Sequence, residues 1–592
     1  MADGEISSDE WSDDEFIDQI GDFDLHHLDE NDRQRLNSVL QNFENNPDND
    51  TGDVDFFGNY ETPDVFEWNS SYSVCCIKKF EEVPGPVRIY DTSASPLELF
   101  QVFYSNEIFQ HITDCTNLNA QRKRAANPEE HKTTWTDVTI TDIKVFYGVM
   151  LMMDIVKFDR DEMYFKDSTD THFMLGSKIP EVITKERFFQ IKRYLHFTYE
   201  TNNHTDKLFK VRFMLDTLRK KFKSEYVPHE QMSVDESMVP FKGRLGIKQY
   251  MKDKPVKFGV KMWMAADSIS AYCWNFDVYV GKRATQINQV FGLSAQVVID
   301  LTKDLAGKGY TIYTDNFYTS PKLAHFLASK EIYTCGTVRT NRHGYPQELV
   351  KTKAEARQLP RGHFDWMQCG SLVATSWKDN KMVYFLSTAH MPELDQLTTS
   401  RKNKDGTIQR LPSTPCVEEY GRYMGGVDRN DQMTRLNKSK KSMRWYRKIE
   451  RKLLELSVYN AYIIEGTIRD QKAPGKRKRD LMSFKLDLAH ALVGTSRQRK
   501  RSAGRSRSEN SENILRLDNI SHLPAIGEGK DHVCVVCNER HNRYKRKHPE
   551  ATYSENPFKR CKTTIKCSKC DKYLCCNTKN MCFTDFHTLV NL

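Results

Sequence analysis

The spacing of apolar residues changes near Gln231. Before it, apolar positions recur at the i, i+3, i+4 spacing of amphipathic helices, as in "TDIKVFYGVMLMMDIV" and "KERFFQIKRYLHFTY". After it, apolar and polar positions alternate, as in "VKFGVKMWMAAD" and "YCWNFDVYVG", which is typical of strands. The sequence therefore predicts a helical region followed by a sheet.

The strand-like region has a recognisable order. Three antiparallel strands are predicted from Gln231 to Gly281, followed by a helix in "LSAQVVIDLTKDLAG", a strand ending at Thr314, a helix from Pro321 and a strand within "IYTCGTVRT". The order βββαβαβ is that of an RNase H-like fold, in which the fourth strand lies beside the first. We therefore expect a multidomain α/β protein with an RNase H-like core.

The remaining segments differ in composition. The first is rich in Asp and Glu and lacks periodicity, which is typical of disorder, and the last is rich in Cys. The predicted organisation is an acidic disordered tail (1–88), a helical DNA-binding or dimerisation region (89–230 and 437–492), an RNase H-like core (231–339 and 423–436), an insertion domain (340–422), a basic flexible linker (493–530) and a zinc finger (531–592).

Charge and cysteine content narrow the class of protein. The net charge is +8 although the tail is acidic, so the rest is distinctly basic and favours a polyanionic partner such as nucleic acid. The N-terminus lacks the apolar core of a signal peptide, and the apolar runs are too short to cross a bilayer. We expect an intracellular protein without membrane segments, whose 15 cysteines are thiols or metal ligands.

Four acids are candidates for a metal site. Asp315 follows the strand "TIYT", and Asp235 lies in the strand expected beside it. Asp428 and Asp431 are three residues apart in "GGVDRNDQM", so they share one face of a helix. Converging carboxylates suit Mg²⁺ and phosphodiester chemistry. The alternatives are a turn-forming role for Asp315 and helix-dipole complementation by the other pair.

Several motifs resemble the piggyBac family of DDE transposases and the genes derived from them. They are "SVDESMVPFKGR", "KPVKFGVKMW", "YTDNFYTS", "GGVDRNDQM" and "SKKSMRWYRKI", within residues 90 to 480. The resemblance implies a catalytic triad of Asp235, Asp315 and Asp428, with Asp431 as a supporting acid. It also implies Mg²⁺-dependent nicking and strand transfer, hairpinned DNA ends and TTAA target sites.

A basic, aromatic segment follows the acidic pair. Lys and Arg at this density contact phosphates, and Trp445 is placed to stack against a base. The alternative is that Trp445 and Tyr446 anchor the core while the charges face solvent. The candidate DNA-binding residues are Lys440, Lys441, Arg444, Trp445, Arg447 and Lys448.

The C-terminal segment carries two CxxC pairs, a spacing that lets two thiolates reach one Zn²⁺. Eight ligands suit two interleaved sites. One site takes Cys534, Cys537, Cys575 and Cys576; the other takes Cys567, Cys570, Cys582 and His587. The piggyBac finger resembles this arrangement, but Thr578 stands where the insect pattern has His. The fourth ligand of the first site is therefore open between Cys576, Cys561 and His541.

Three functions remain open from the sequence. They are a transposase-derived enzyme, a catalytically silent DNA- or chromatin-binding protein, and a zinc-finger protein-interaction module with the remainder as scaffold. A homodimer and chromatin partners, bound through the finger or the acidic tail, are compatible with each. The basic runs "GKRKRDL" and "RQRKR" in the linker predict nuclear localisation.

Overall fold

The computed structural model divides the chain into two compact units, Met1–Met163 with Ile183–Thr495, and Tyr164–Val182 with Ser496–Leu592. No helix among the described residues combines the length and apolar character needed to cross a bilayer. The structure describes residues 56, 57, 60, 63, 65–91, 93–131, 133–165, 178–201, 205–252, 254–281, 291–391, 397–402, 405–435, 444–472, 475, 479–494, 522–527, 531–577 and 580–588.

A nine-stranded mixed sheet forms the centre of the larger unit. Its strand order is β4-β5-β3-β7-β8-β11-β10-β9, and β6 also pairs with β5. The pairs β3–β7 and β7–β8 are parallel, and the other pairs are antiparallel. The strands are β3 (Gln231–Pro240), β4 (Lys248–Tyr250), β5 (Phe258–Asp267), β6 (Cys273–Val278), β7 (Thr311–Thr314), β8 (Tyr333–Thr337), β9 (Phe364–Cys369), β10 (Leu372–Lys378) and β11 (Met382–Ser387).

The expected neighbourhood of the first and fourth core strands is confirmed, because β7 pairs with β3. Residues 340–422 differ from the expected separate insertion. Strand β11 pairs with β8, so β9 to β11 extend the central sheet instead of forming a sheet of their own. Smaller two-stranded pairs in this unit are β1 (Gly85–Pro86) with β2 (Tyr226–Val227), and β12 (Leu397–Lys402) with β13 (Ile408–Ser413).

Helices form before β3, where the 3.6-residue spacing predicted them, and others lie between the strands. Ser95 and Thr139 start two of them with capping boxes, which satisfy backbone N–H groups of the first turn. The helices are α1 (Pro96–Gln101), α2 (Asn106–Ala126), α3 (Ile140–Ile155), α4 (Ile179–Val182, in the smaller unit), α5 (Lys185–Tyr194), α6 (Arg212–Ser224), α7 (Gly292–Thr302), α8 (Pro321–Ser329), α9 (Lys353–Gln358), α10 (Pro415–Tyr423), α11 (Gly426–Met433), α12 (Trp445–Lys472) and α13 (Leu481–Val493).

Part of the predicted acidic tail is an ordered strap on the larger unit. Phe66 is buried in a cluster with Leu372 and Leu386. Asn69 exchanges two backbone hydrogen bonds of 2.9 and 2.8 Å with Gln368 of β9. Further along, the Lys78 N–H donates to the Tyr333 hydroxyl at 2.6 Å. The expectation of disorder through residue 88 is therefore wrong for residues 65–88, where a few aromatic and backbone contacts suffice without any periodicity.

The described residues of the smaller unit form two short antiparallel pairs and two helices besides α4. Strand β14 (Pro524–Ile526) pairs with β17 (Ile565–Cys567), and β15 (His532–Val533) pairs with β16 (Lys562–Thr563). The helices are α14 (Val535–Lys547) and α15 (Cys582–Thr588).

Candidate functional sites

Asp235 lies within β3, and Asp315 directly follows β7, the parallel neighbour of β3 in the central sheet. In this pair Val234 stands opposite Thr314, and each aspartate is the next residue along its chain segment. The Asp315 carboxylate also accepts the Phe317 N–H at 2.8 Å. Asp315 thus forms the turn that the alternative interpretation expected, and it lies beside Asp235 as well.

Helix α11 reaches the same strand because it begins with a glycine. A Cβ at Gly426 would lie 2.3 Å from the Ser233 hydroxyl oxygen and 3.2 Å from the Asp267 carbonyl oxygen. Only glycine permits this approach of a helix to the sheet. Asp428, two residues further on, is exposed in the first turn of the docked helix.

A lysine that sequence reasoning missed lies among these acids. The Lys254 ammonium is 3.5 Å from a Glu236 carboxylate oxygen and 4.0 Å from one of Asp235. Burial lowers the pKa of Lys254, but the charges of Asp235, Glu236 and Asp428 outweigh burial and raise it. The Lys254 ammonium therefore interacts electrostatically with acids of β3 and with Asp428 of α11. Its only sequence signal was its place in the "KPVKF" motif.

Burial dominates the protonation of the edge aspartates. It raises the pKa of Asp235 to about 7 against the opposing charge of Lys254, and it also raises the pKa of Asp315. A bound cation would favour the ionised form of both, and hard oxygen donors fit Mg²⁺. The three aspartates are not tightly grouped: over the described ranges, sets of three or more ligand atoms within 4.8 Å of one another contain only Cys and His.

Asp431 is engaged in the interior. Its carboxylate accepts from the Ser237 hydroxyl at 2.5 Å and from the Lys452 ammonium at 2.9 Å. Lys452 is 3% exposed and also donates to the Thr434 hydroxyl at 2.6 Å. The contacts of Asp431 therefore tie α11 to β3 and α12, and they support the position of Asp428 on the same helix.

Two clusters in the smaller unit have the composition of zinc sites. In the first, the sulfur of Cys537 lies 3.5 Å from that of Cys582 and 4.0 Å from that of Cys575. A hydrogen bond from the Cys582 thiol is the main cause that lowers the pKa of Cys534 to about 5. The full ligand sets are Cys534, Cys537, Cys575 and Cys582 in the first cluster, and His522, Cys567, Cys570 and His587 in the second.

These clusters correct the predicted zinc ligands. Cys582 belongs with Cys534 rather than with His587, and Cys576 is exposed and outside both clusters. Two adjacent cysteines on one ion would be strained, and Cys575 alone joins the first cluster. His541 bonds the Phe558 carbonyl at 2.7 Å, and neither it nor Cys561 joins a cluster.

His522 is the ligand that sequence reasoning missed. It lies in the segment predicted to be linker, and its Nδ1 is 3.3 Å from the sulfurs of both Cys567 and Cys570. The pairing of β14 with β17 brings it there. The two clusters still interleave along the chain, as expected, because the ligands of the first cluster lie between those of the second.

Two of the candidate DNA-binding arginines contact the protein itself. Arg444 donates to the Arg193 carbonyl oxygen at 2.6 Å. Arg447 donates to the carbonyl oxygens of Arg193 and Leu195, each at 3.0 Å. Both therefore satisfy carbonyl groups at the C-terminal end of α5, as basic residues commonly do there.

The other candidates in this segment differ in environment. Tyr446 is 5% exposed and packs perpendicular to Trp445 at a ring distance of 6.0 Å, so Tyr446 fits the alternative of a core anchor. Trp445 and Lys448 are half-buried. Lys440 and Lys441 lie outside the described residues.

The basic run predicted as a localisation signal contains one residue that is not accessible. The Arg479 side chain is 13% exposed and donates to Glu465 at 2.8 Å and also to Asp487. The expectation that this arginine lies in an exposed linker is wrong, because α12 and α13 supply the carboxylates that hold it. The other signal residues lie outside the described ranges, namely Lys476, Arg477, Lys478, Arg497, Arg499, Lys500 and Arg501.

Comparisons with known proteins agree with this architecture. A family model described as Transposase IS4 matches residues 95–462. PiggyBac transposable element-derived protein 3 of Homo sapiens is 26% identical over 511 residues, covering 85% of this chain and 78% of the relative. PiggyBac transposable element-derived protein 2 of Homo sapiens is 26% identical over 456 residues, covering 75% of this chain and 73% of the relative.

A solved structure shares the fold. The piggyBac transposase in its synaptic complex with hairpin DNA aligns with a TM-score of 0.62 at 24% identity, covering 83% of this chain and 98% of that one. The chain belongs to the Transposase IS4 family, in its piggyBac-type branch.

Proposed function

We propose that the chain binds DNA and catalyses metal-dependent cleavage and transfer of DNA strands at an RNase H-like site formed by Asp235, Asp315 and Asp428. The observation that carries this proposal is the register of β3 and β7, which makes Asp235 and Asp315 neighbours at the strand edge. The docking of α11 on β3 supports the inclusion of Asp428. Membership in a transposase family supports the reaction class, and the piggyBac resemblance suggests TTAA target sites.

In this proposal each residue has a defined task. Asp235, Asp315 and Asp428 would supply oxygen ligands to Mg²⁺, which when bound activates the attacking oxygen and stabilises the leaving oxygen of a phosphodiester. Asp431 fixes α11 through Ser237 and Lys452, so that Asp428 stays at the edge.

The test is cleavage of short duplexes that carry a TTAA step, with and without Mg²⁺ or Mn²⁺. Asp315→Asn should abolish nicking but leave DNA affinity equal or higher, since one negative charge near phosphates is removed. Asp405→Asn is a matched control, because among the described residues the Asp405 carboxylate accepts hydrogen bonds within its own hairpin turn, from Thr407. Nicking that survives in Asp315→Asn would contradict the proposed site.

A second function is favoured by one specific observation. The ammonium of Lys254 lies among the acids at a distance of 3.5 to 4.0 Å, where it opposes a divalent cation. This arrangement favours a catalytically silent DNA- or chromatin-binding protein. Tight duplex binding without cleavage, unchanged by Asp315→Asn, would support it over the enzyme, whereas no DNA binding at all would favour the zinc-finger interaction module.

We further propose that the two C-terminal clusters hold structural Zn²⁺ and that the chain acts in the nucleus, as a homodimer or with chromatin partners. The ligand chemistry supports zinc, because four thiols, or two thiols and two imidazoles, fit a closed tetrahedral site. Neutralising Lys476, Arg477, Lys478, Arg497, Arg499, Lys500 and Arg501 while keeping Arg479 should move a tagged protein to the cytoplasm. An unchanged nuclear signal would show that these residues are not the nuclear localisation signal.

A further inference from the structure

A third cluster of thiol and imidazole groups lies in the larger unit. It consists of Cys335 in β8, His390 just after β11 and Cys416 in the first turn of α10. Their ligand atoms all lie within 4.8 Å of one another. Both cysteines are buried, and the His390 side chain is 10% exposed. Neither the proposed DNA chemistry nor the C-terminal clusters use these residues.

The spacing of the donor atoms matches that of a metal site. The sulfurs of Cys335 and Cys416 are 3.5 Å apart. Within the two C-terminal clusters, four of the distances between ligand atoms are 3.3, 3.5, 3.6 and 4.0 Å. Two thiolates on one tetrahedral Zn²⁺, with Zn–S near 2.3 Å, stand about 3.8 Å apart. The sulfur pair therefore needs only a small adjustment to share an ion.

The imidazole of His390 is held as metal-binding imidazoles usually are. One ring nitrogen, Nε2, is 2.8 Å from a carboxylate oxygen of Glu419. The Tyr313 hydroxyl donates to the same oxygen at 2.8 Å and fixes the carboxylate. A carboxylate partner keeps the proton on Nε2 and leaves the lone pair on the other nitrogen. That nitrogen, Nδ1, lies 2.9 Å from the neutral hydroxyl of Ser387.

The cluster joins parts of the fold that lead to the proposed catalytic acids. Cys335 is paired with Tyr313 of β7, two residues before Asp315. Cys416 lies in α10, the helix that directly precedes α11 and Asp428. A bond between Cys335 and Cys416 through one ion would fix α10 against β8 of the central sheet.

We propose that Cys335, His390 and Cys416 form a third metal site, which binds a thiophilic d¹⁰ cation such as Zn²⁺ and fastens α10 to the central sheet. The two thiols each release a proton when the cation binds, His390 contributes the neutral imidazole, and a water molecule takes the fourth position. The site does not depend on the proposed DNA chemistry.

The experiment measures zinc per chain on the purified full-length protein, by elemental analysis after dialysis against a small excess of Zn²⁺. We expect the double variant Cys335→Ala/Cys416→Ala to hold one ion fewer than wild type. Cys273→Ala is a matched control, because Cys273 is a buried free thiol of the same unit outside every cluster, and it should keep the wild-type count. An equal count in the double variant and wild type would overturn the proposal.

Two further measurements keep the test decisive if the double variant fails to fold. His390→Gln retains both thiols and should lose the same single ion. In wild type, mass spectrometry after alkylation should show Cys335 and Cys416 protected with Zn²⁺ and modified after chelation. A disulfide between these cysteines, or modification that is equal with and without Zn²⁺, would overturn the proposal.

Discussion

The two compact units of the chain are stabilised by different kinds of side chain. The largest buried side chains of the larger unit are aromatic, such as Tyr104, Tyr147 and Phe100. In the smaller unit, the buried cluster has eight members, and five of them are cysteines. The members are Cys534, Val536, Cys537, Cys567, Leu574, Cys575, Cys582 and Phe586. The core of the larger unit is thus built from apolar side chains, whereas the core of the smaller unit is built mainly from thiol groups.

Removing metal should have the largest effect, because it should unfold the smaller unit while the larger unit stays folded. Its apolar core is too small to offset the conformational entropy of folding, so chelation should unfold residues 522–588 while α12 and the central sheet remain protected. Hydrogen exchange on the full-length protein measures both units at once. Cys570→Ser should reproduce the loss, and Cys576→Ser, at an exposed cysteine outside the clusters, should not. Full protection of residues 522–588 after chelation would refute the comparison.

In the larger unit, the largest electrostatic effect should come from the buried Lys452. Asp431→Ala leaves this ammonium without its carboxylate, at a cost on the order of 3 kcal/mol in the free energy of unfolding. Glu418→Ala breaks a more exposed pair with Arg422 and should cost less than about 0.5 kcal/mol. Urea denaturation compares the two variants. Equal losses would show that burial of the partner does not govern the cost.

Stability of the larger unit should fall as pH rises, because of Glu450. Burial raises the pKa of this carboxyl from 4.5 to about 7, and the hydroxyls of Tyr147 and Tyr104 donate to it. A group whose pKa is higher in the folded state stabilises fully below its unfolded pKa and loses that contribution as pH passes the folded value. The loss between about pH 5 and pH 8 should be about 2 kcal/mol.

Glu450→Gln keeps an oxygen that accepts from both tyrosines but does not titrate. Its free energy of unfolding should therefore lack this part of the pH dependence, and the variant should be more stable than wild type above about pH 7. Denaturation at several pH values gives the difference between the two proteins. Parallel curves for wild type and Glu450→Gln would show that Glu450 is ionised in the folded state at neutral pH.

The smallest effect concerns cation binding at the strand edge. Replacing Lys254 with Gln removes an ammonium group that lies 3.5 to 4.0 Å from two carboxylates. In water-like surroundings, the ammonium repels a cation bound by these carboxylates with an energy of about 1 kcal/mol. Mn²⁺ affinity, followed by paramagnetic relaxation, should rise about fivefold. Lys308→Gln, at a half-exposed lysine paired with Glu82, should leave affinity unchanged. Weaker Mn²⁺ binding in Lys254→Gln would show that the lysine holds the carboxylates of Asp235 and Glu236 in the positions that bind the ion.

Regular patterns in the sequence predicted the parts of the fold that repeat at short range. Alternation placed β5 and β6, the helical spacing placed α3 and α5, and the element order predicted that β7 lies beside β3. Seven of the eight cluster residues were predicted, because CxxC spacing is local. Their division between two ions was not predicted, because it depends on how segments distant in the sequence fold together.

The missed features depend on contacts between distant residues. Lys254 follows β4 in a loop, and its place beside Asp235 and Glu236 comes from the return of β5 along β3. His522 lies 45 residues before its partner Cys567, in a segment whose composition resembles linker. The strap around Phe66 has no period at all. Sequence composition describes such segments on average, whereas one buried ring or one ligand decides their structure.

The strap also pairs with the outermost strand of the central sheet. Strand β9 ends the central sheet, and a free outer strand offers unpaired N–H and C=O groups to any other extended chain. Asn69 occupies both groups of Gln368, and Phe66 covers the apolar cluster behind them. Sequence composition alone would place the start of the folded part at residue 89. A protein truncated there would expose the unpaired backbone groups of Gln368 and the apolar cluster behind them. Expression that begins before Phe66 should yield soluble monodisperse protein, and the shorter version should aggregate.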